Sequence, residues 1–492
     1  MPVPPTTQPD RTIKGVDTSI ALFIGRAIWG PTNKPHLCYS YSDFEKVFTS
    51  DTSQSDLARA VYLFFINGGN RCYVVRTYKG AEGLAATEVQ PVGKCFTIKA
   101  RYSGKHGNTI QVDIKKNNLD PVNRFDLKIF RKTKDGLGNI VEADQELWQN
   151  LSMNHADARY FAKLVKSNLI DIIPGGSVLP GAKSYVLNRG LDSPVLNAED
   201  YSPVFEIIRR KVDQFNLLIL PRDREHTPGN VAALWAPASE LCKKKKAFLL
   251  IDAPDVWQNV QQAVSTGTGD YGINALRQGI VRDQSAVFFP KLKMAEGGKT
   301  LAIGPVGAIA GLMARVDAER GVWKSPAGKE ATIKGISGIA LTINDNDNGL
   351  LNPRGINAIR MVFGGIVNWG ARTLDGDDNF ASQWKYIAVR RTALFIEESI
   401  YRGLKWASAQ PNNEALWAQI RLHVGTFLQG LFVKGALQGQ TAKAAYYVKC
   451  DSSTITQNDI ARGNVIVWVG FAPLKPAEFV TLKIECVAGQ PQ

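Results

Sequence analysis

Glu397 and Glu398 stand side by side in FIEESIYRGLKWASAQPNNEALW (395–417), among aromatic and basic residues. Paired carboxylates are the tools of glycosidases, so this stretch is the first place to look for chemistry. On a helix, however, adjacent residues point about 100° apart, and side chains meet at spacings of three or four. Glu398 and Arg402 have that spacing in the favourable order, and Ile396, Ile400 and Leu404 share one face. The pattern predicts a structural helix with a salt bridge, Glu398 to Arg402, along its flank. The carboxylates are not expected to act as a catalytic pair.

Other motifs fail on spacing. AEGGKT (295–300) contains the Gly-Lys-Thr of a phosphate loop, but Lys293 stands where the first glycine is needed, so no nest of amides can form. LLIDAPD (249–255) ends an apolar run on an aspartate, as metal-holding strands do. Without a phosphate loop it reads as a sheet strand entering a turn. NDNDNG (344–349) lacks the ligand spacing and closing glutamate of a calcium loop, so an acidic turn is expected. His36, His106, His155, His226 and His423 are scattered singly, with no zinc-ligand spacing. The lysines at 243–246 close a helix, where cations suit the dipole. The expectation is a protein with no catalytic residues, no metal and no cofactor: not an enzyme.

The elements that hold these residues alternate along the chain. Its 492 residues exceed one compact core, and 44% hydrophobic with 21% charged residues describes a folded protein. Residues 1–19, rich in Pro and Thr, predict an extended arm with nothing to anchor it in a core. SIALFIG (19–25) is a buried strand; SDFE (42–45) has the spacing of a capping box; DLARAVYLFFI (56–66) is a helix stopped at Gly68 and Gly69; RCYVVRT (71–77) is a strand. The rhythm returns near residue 200 with FNLLILP (215–221), AFLLIDAP (247–254) and SAVFFP (285–290), continuous apolar runs typical of parallel strands covered on both faces. Gly304, Gly307 and Gly311 give the next helix close-packing spacings.

Between these stretches, CFTIKARYSGKHGNTIQVDI (95–114) and FDLKIF (125–130) alternate apolar and polar residues, which predicts a β-rich insert with a short helix at 156–168. The expected fold class is thus α/β in a multidomain chain: arm 1–19; an α/β domain from 20–88 plus 195–365; a β-rich inserted domain at 89–194; and an α+β domain at 366–492. That last domain is expected to hold two helices and at least two strands, ending in EFVTLKIECV (478–487).

The formal charge of +14 calls for an acidic partner or surface. The six cysteines form no CxxC and sit in apolar runs, which predicts buried free thiols in a reducing compartment. The N-terminus MPVPPTTQPDRTIKG has no apolar leader, and no window is long and apolar enough to span a membrane, so cytoplasmic folding without membrane insertion is expected.

A resemblance points further. GVDTSIALFIGRAIWGP, FFINGGNRCYVVR, AIAGLMARVDAERGVWKSPA, INDNDNGLLNPRGI, WGARTL, WKYIAVRRTALFIEESIYRGLKWASAQPNNEALW and VGFAPLKPAEFVTLKI occur in that order. Together they resemble the sheath proteins of contractile tails, found in phages, R-type pyocins and phage-tail-like injection particles. The likeness covers 15–85 and 200–487, and YSGKHGN extends it into the insert. It implies a structural homo-oligomer of hexameric rings stacked helically around an inner tube protein, with baseplate and cap proteins as further partners. Cytoplasmic assembly into a phage tail or tail-like particle follows from it, as does contraction without cofactor or nucleotide. It further implies that neighbouring subunits complete the sheet of the C-terminal domain by strand exchange.

The strand expected to be exchanged is Phe479, Val480, Thr481, Leu482, Lys483, Ile484 and Glu485, a form of β-augmentation. The family's N-terminal Pro-Gly-Val-Tyr-like segment is missing here, where MPVPPTTQPDRTIK leads straight into Gly15. The helix NEALWAQIRLHVGTFLQGLFVKGAL (413–437) is expected to face the tube, with Leu416, Ile420, Val424, Phe427 and Leu431 as its buried stripe. Arg421, Lys434 and nearby Lys443 would then meet an acidic tube. Two other classes compete: a basic nucleic-acid-binding structural protein, which would bind with a steep salt dependence, and a hydrolase built on the α/β domain, for which no nucleophile motif is present.

Overall fold

A computed structural model describes residues 11–476, apart from 80–82, 90–94, 135–136, 268–270, 363 and 409. The chain opens with β1 (Ala21–Gly25), β2 (His36–Cys38), helices α1 (Tyr41–Phe48) and α2 (Leu57–Ile66), and β3 (Cys72–Arg76). The cap of α1 is Ser40, whose hydroxyl accepts from the Asp43 amide at 3.1 Å; Ser42 lies inside the helix. Two Ser-x-x-acid spacings overlap here. The earlier one wins because the Asp43 carboxylate also accepts from the Tyr39 amide, closing the turn before Ser42.

The next strands are β4 (Ala86–Val89), β5 (Phe96–Ala100), β6 (Ile110–Lys116), β7 (Arg124–Lys134), β8 (Ile140–Ser152), β9 (Ile170–Pro174) and β10 (Lys183–Val186). They form two antiparallel sheets, β10-β6-β7-β8 and β4-β5-β9, around a core of their own that includes Phe96, Ile110, Val112, Phe125 and Phe161. The helix expected at 156–168 is a single turn, α3 (Phe161–Leu164), because Tyr160 and Val165 on its flanks are not helical.

Helices α4 (Ala198–Lys211) and α5 (Pro228–Lys245) then alternate with β11 (Leu217–Ile219) and β12 (Phe248–Asp252). Short helices α6 (Val260–Val264) and α7 (Ile273–Leu276) precede β13 (Ser285–Phe289). A small sheet of β14 (Leu292–Glu296), β15 (Lys299–Ile303) and β16 (Gly338–Ile339) brackets α8 (Val306–Arg320). Helix α9 (Asp345–Leu351) leads to β17 (Ile356–Val362) and β18 (Gly365–Asn368). The expected acidic turn at NDNDNG is therefore the start of a helix: Asn344 and Asp347 cap each other's backbone.

These strands make one eight-stranded sheet, ordered β18-β17-β13-β12-β11-β1-β3-β2. Its six central strands run parallel, and the short end strands β2 and β18 are antiparallel. Residues of β1, β11 and β13 are buried without alternation, since helices cover both faces. On one side α2 and α8 pack so closely that a Cβ on Gly307 would come within 2.5 Å of the Ala60 carbonyl, and one on Gly311 within 2.2 Å of the Phe64 carbonyl. On the other, α4 and α5 bury Tyr201, Ile208, Trp235 and Leu241 against the sheet. The five described cysteines are buried and form no disulfide with one another.

The last described part holds α10 (Ile387–Gly403), α11 (Glu414–Val433), α12 (Ala442–Ala445), β19 (Tyr446–Lys449), α13 (Gln457–Ala461) and β20 (Trp468–Phe471). Its core gathers Ile396, Trp417, Ile420, Val424, Leu428 and Cys450, and it also receives Ile13 from the N-terminal arm.

Candidate assembly surface

Helix α10 joins the two bodies, since Ile387 and Leu394 lie in the core beneath the large sheet and Ile396 and Ile400 in the C-terminal core. Ionic contacts reinforce the joint. Arg391 meets Asp317 of α8 at 2.6 Å with both side chains 4% exposed. Arg402 holds Glu398 at 2.5 Å and Asp213 at 2.6 Å. The hydrogen bond from Arg402 holds the Asp213 carboxyl below its usual range, while the Arg402 guanidinium is raised, first by that same bond.

The adjacent glutamates are not independent of one another. Lys246 Nζ, just past the end of α5, lies 3.5 Å from Glu397 and 3.2 Å from Glu398, and 4.3 Å over the Tyr401 ring. The helix sends the two side chains apart, but a long lysine from another element reaches both. Both carboxylates thus serve an ionic joint between α10 and the layered sheet. The neighbouring Lys245 donates to the Val212 carbonyl at 2.6 Å, and burial lowers its pKa.

The described part of the arm, from residue 11 on, is anchored, contrary to expectation. Ile13 is 5% exposed and fills a space that a Cβ on Gly403 would occupy, at 2.7 Å from its Cγ1. Arg11 stacks 4.4 Å over Trp406. Farther along, the Val16 amide donates to Ser399 Oγ at 3.1 Å, and Thr18 donates to Asp317 at 2.7 Å while its carbonyl accepts from Arg391. One isoleucine suffices because Gly15 and Gly403 leave room for the backbone to lie against α10. In the sequence, Ile13 sits isolated among polar residues, where no periodicity marks it.

Helix α11 is capped by Asn413, which accepts from the Leu416 amide at 3.2 Å. It buries Leu416, Trp417, Ile420, Val424, Leu428 and Leu431; Phe427 is only partly covered. Of the residues expected to meet a tube, Arg421 turns back, with Nη2 2.6 Å from Glu414 and Nη1 donating to the Cys450 carbonyl. The Glu414 bond is also what raises the Arg421 pKa. Lys434 is exposed at the C-cap, and Lys443 is exposed on α12. The outward face of α11 instead mixes Ala418, Leu422 and Val433 with Gln419, Thr426 and Gln429, and Leu422 is 65% and Val433 75% exposed. Apolar residues on both faces of α11 hide this surface from a search for a single stripe.

Strands β19 and β20 pair antiparallel from Tyr446 opposite Phe471 to Lys449 opposite Trp468, one face against α11. Among the described residues neither has a second ladder partner. Each therefore offers one unpaired row of backbone amides and carbonyls, flanked by the half-exposed rings of Tyr447 and Trp468 at 54% each. The segment Phe479, Val480, Thr481, Leu482, Lys483, Ile484 and Glu485 lies outside the described residues. The described chain reaches within three residues of it, at Pro476.

Among the described residues no group of three His, Cys, Asp or Glu side chains could hold a metal ion, and no helix is long and apolar enough to cross a membrane.

Residues 196–374 match the phage tail sheath protein central domain, and 381–486 match the phage tail sheath C-terminal domain. The chain belongs to the phage tail sheath protein family. It is 27% identical over 266 residues, 52% of its length, to a prophage major tail sheath protein of Pseudomonas aeruginosa (strain UCBPP-PA14), of which the aligned region spans 63%. Its fold matches the helical sheath of the anti-feeding prophage in the contracted state, with TM-score 0.59, 22% identity, and 96% and 95% of the two chains covered. A sheath tail protein of Desulfitobacterium hafniense gives TM-score 0.63 at 14% identity, covering 91% of this chain and 93% of that one.

Proposed function

We propose that this chain is the repeating subunit of a contractile sheath, stacked as hexameric rings around an inner tube, and that contraction of the sleeve drives the tube through a target envelope. The observation that carries the reading is the sheet β19-β20, which among the described residues has two strands and no further partner, in a chain of the sheath family. A two-stranded sheet is marginal alone, and its free edges are templates for further strands. The reading assigns 479–485 as a strand donated to the corresponding sheet of a neighbouring copy. With net gains of roughly 0.5–1.5 kcal/mol per hydrogen bond, each junction contributes a few kcal/mol. Repetition over the lattice then makes the sleeve cohesive.

The same reading divides the chain into an arm (1–19), an α/β domain (20–88 and 195–365), an inserted domain (89–194) and a C-terminal domain (366–492). It places the outer face of α11, Leu422 and Val433 with Lys434 at its end, against the tube. Baseplate and cap proteins complete the particle, assembled in the cytoplasm, and the subunit's work is mechanical rather than enzymatic. The similarity in fold to the anti-feeding prophage sheath over nearly the whole chain supports this assignment. Electron microscopy of the purified chain tests it. Hollow cylinders are expected, and deletion of residues 478–492 should leave soluble monomers that still melt cooperatively. Cylinders from the shortened chain would contradict the strand junction.

A further inference from the structure

Strand β2 ends on Cys38, and its antiparallel register sets that residue directly opposite Cys72, the first residue of β3. Opposed residues of an antiparallel pair share a face, with Cβ atoms about 4.5–5.5 Å apart. A disulfide asks for Cα atoms about 4.4–6.8 Å and Cβ atoms about 3.5–4.5 Å apart, so closing this pair takes a shift of about 1 Å and no change of register. Both side chains enter the core that also holds Phe44 of α1 and Phe64 of α2. Cys242, Cys95 and Cys450 lie in three other cores, so among the described cysteines only Cys38 and Cys72 share one.

Both side chains are fully buried, and burial, with Cys38 as neighbour, raises the Cys72 thiol well above its ordinary value. A thiol so placed is inert while the strands stay closed. Strand β2 is a weak cover, however. It is three residues long, stands at the end of the sheet, and among the described residues pairs along one side only. The chain surfaces immediately after Cys38, with Tyr39 61% exposed. Short segments with few backbone bonds open at lower cost than the central sheet. Lifting β2 uncovers Cys38 first, because β3 remains paired with β1 and keeps Cys72 in place.

We propose that Cys38 and Cys72 are a modification site for a small hydroperoxide, which converts them into a disulfide joining β2 to β3. With β2 lifted, the Cys38 thiolate attacks one oxygen of hydrogen peroxide. The O–O bond breaks, Cys38 becomes a sulfenic acid, and the other oxygen leaves as water with the proton that the thiol gave up. When β2 closes, the Cys72 sulfur attacks the Cys38 sulfur, the S–O bond breaks, and hydroxide takes the Cys72 proton and departs as water. Two thiols and one peroxide thus become one disulfide and two waters, and the two electrons lost by sulfur reduce the peroxide. A reagent little larger than water suits a site one residue beneath the surface, where a bulky disulfide such as oxidised glutathione would have to seat in the core. The bond would close the loop that carries α1 and α2 and fasten the end strand of the sheet, which restricts the unfolded chain.

Treatment of the folded full-length chain with hydrogen peroxide, followed by blocking of remaining thiols with iodoacetamide and tryptic digestion without reductant, tests this. Mass spectrometry should find residues 27–46, which contain Cys38, joined to residues 72–76, which contain Cys72, and lighter than the two separate peptides by two hydrogens. The oxidised chain should unfold at a higher temperature than the reduced one by circular dichroism, and dithiothreitol should reverse the gain. In Cys38→Ala peroxide should bring no such rise. Recovery of both thiols in alkylated form, linkage of Cys38 to a different cysteine, or a melting temperature that the bond leaves unchanged would overturn the proposal. Because the peptide map is made on the wild-type chain, failure of the variant to fold leaves the test intact.

Discussion

The large sheet and the β19-β20 pair obey the same backbone chemistry and end in opposite conditions. In the large sheet, six parallel strands lie between helical layers, and the rows of amides at its sides stop at short antiparallel strands, β2 and β18. Beyond β18, the Ile333 amide donates to the Ile366 carbonyl at 2.8 Å, covering part of that side. In the C-terminal unit two four-residue strands stand with Tyr447, Lys449 and Trp468 exposed and an unpaired row on each among the described residues. Among the described residues the chain thus carries a large sheet closed off by its own end strands and a small sheet that is not. The joint between them, α10, belongs to both cores.

Substitutions can sharpen that contrast, beginning with the joint. Arg391→Ala strands the Asp317 carboxylate in a site 4% exposed, and loss of one partner from a buried pair costs about 3–5 kcal/mol. Arg402→Ala, whose partner Asp213 is 81% exposed, should cost less than about 1 kcal/mol. Denaturant melts of the two variants check the difference, and equal losses would break the distinction between buried and rim contacts. Next, Leu250→Ala in β12, fully buried, should lose about 2–5 kcal/mol and still assemble where folded. Tyr447→Ala in β19 should change stability by less than about 1 kcal/mol yet reduce cylinder yield. Stability loss from Tyr447→Ala as large as from Leu250→Ala would make the small sheet part of the self-sufficient body.

Much of the layered body was legible because burial on both faces writes itself as continuous apolar runs: ALFIG, FLLID and SAVFF are strands β1, β12 and β13. Gly307 and Gly311 announced a close helix contact by spacing alone, and the α2 backbone lies where their side chains would be. What stayed hidden depends on partners distant in sequence. Nothing near Glu397 and Glu398 reveals Lys246, some 150 residues away, and nothing around Ile13 reveals the space left by Gly403. The choice of Ser40 over Ser42 as cap was a competition between two local hydrogen-bond sets that spacing does not rank. Arg421 was legible as a cation on α11; its pairing with Glu414, two turns earlier on the same helix, falls outside the three- and four-residue spacings, and its bond to the Cys450 carbonyl required the return of the chain along β19.

Hydrogen exchange measured on the free subunit and on assembled cylinders tests the central claim most directly. If β19 and β20 are an unfinished sheet, their amides should exchange rapidly in the free chain and become protected by at least tenfold on assembly, while those of β1, β12 and β13 stay equally protected in both. Strong protection of β19 and β20 in the isolated subunit, unchanged in the cylinder, would contradict the account.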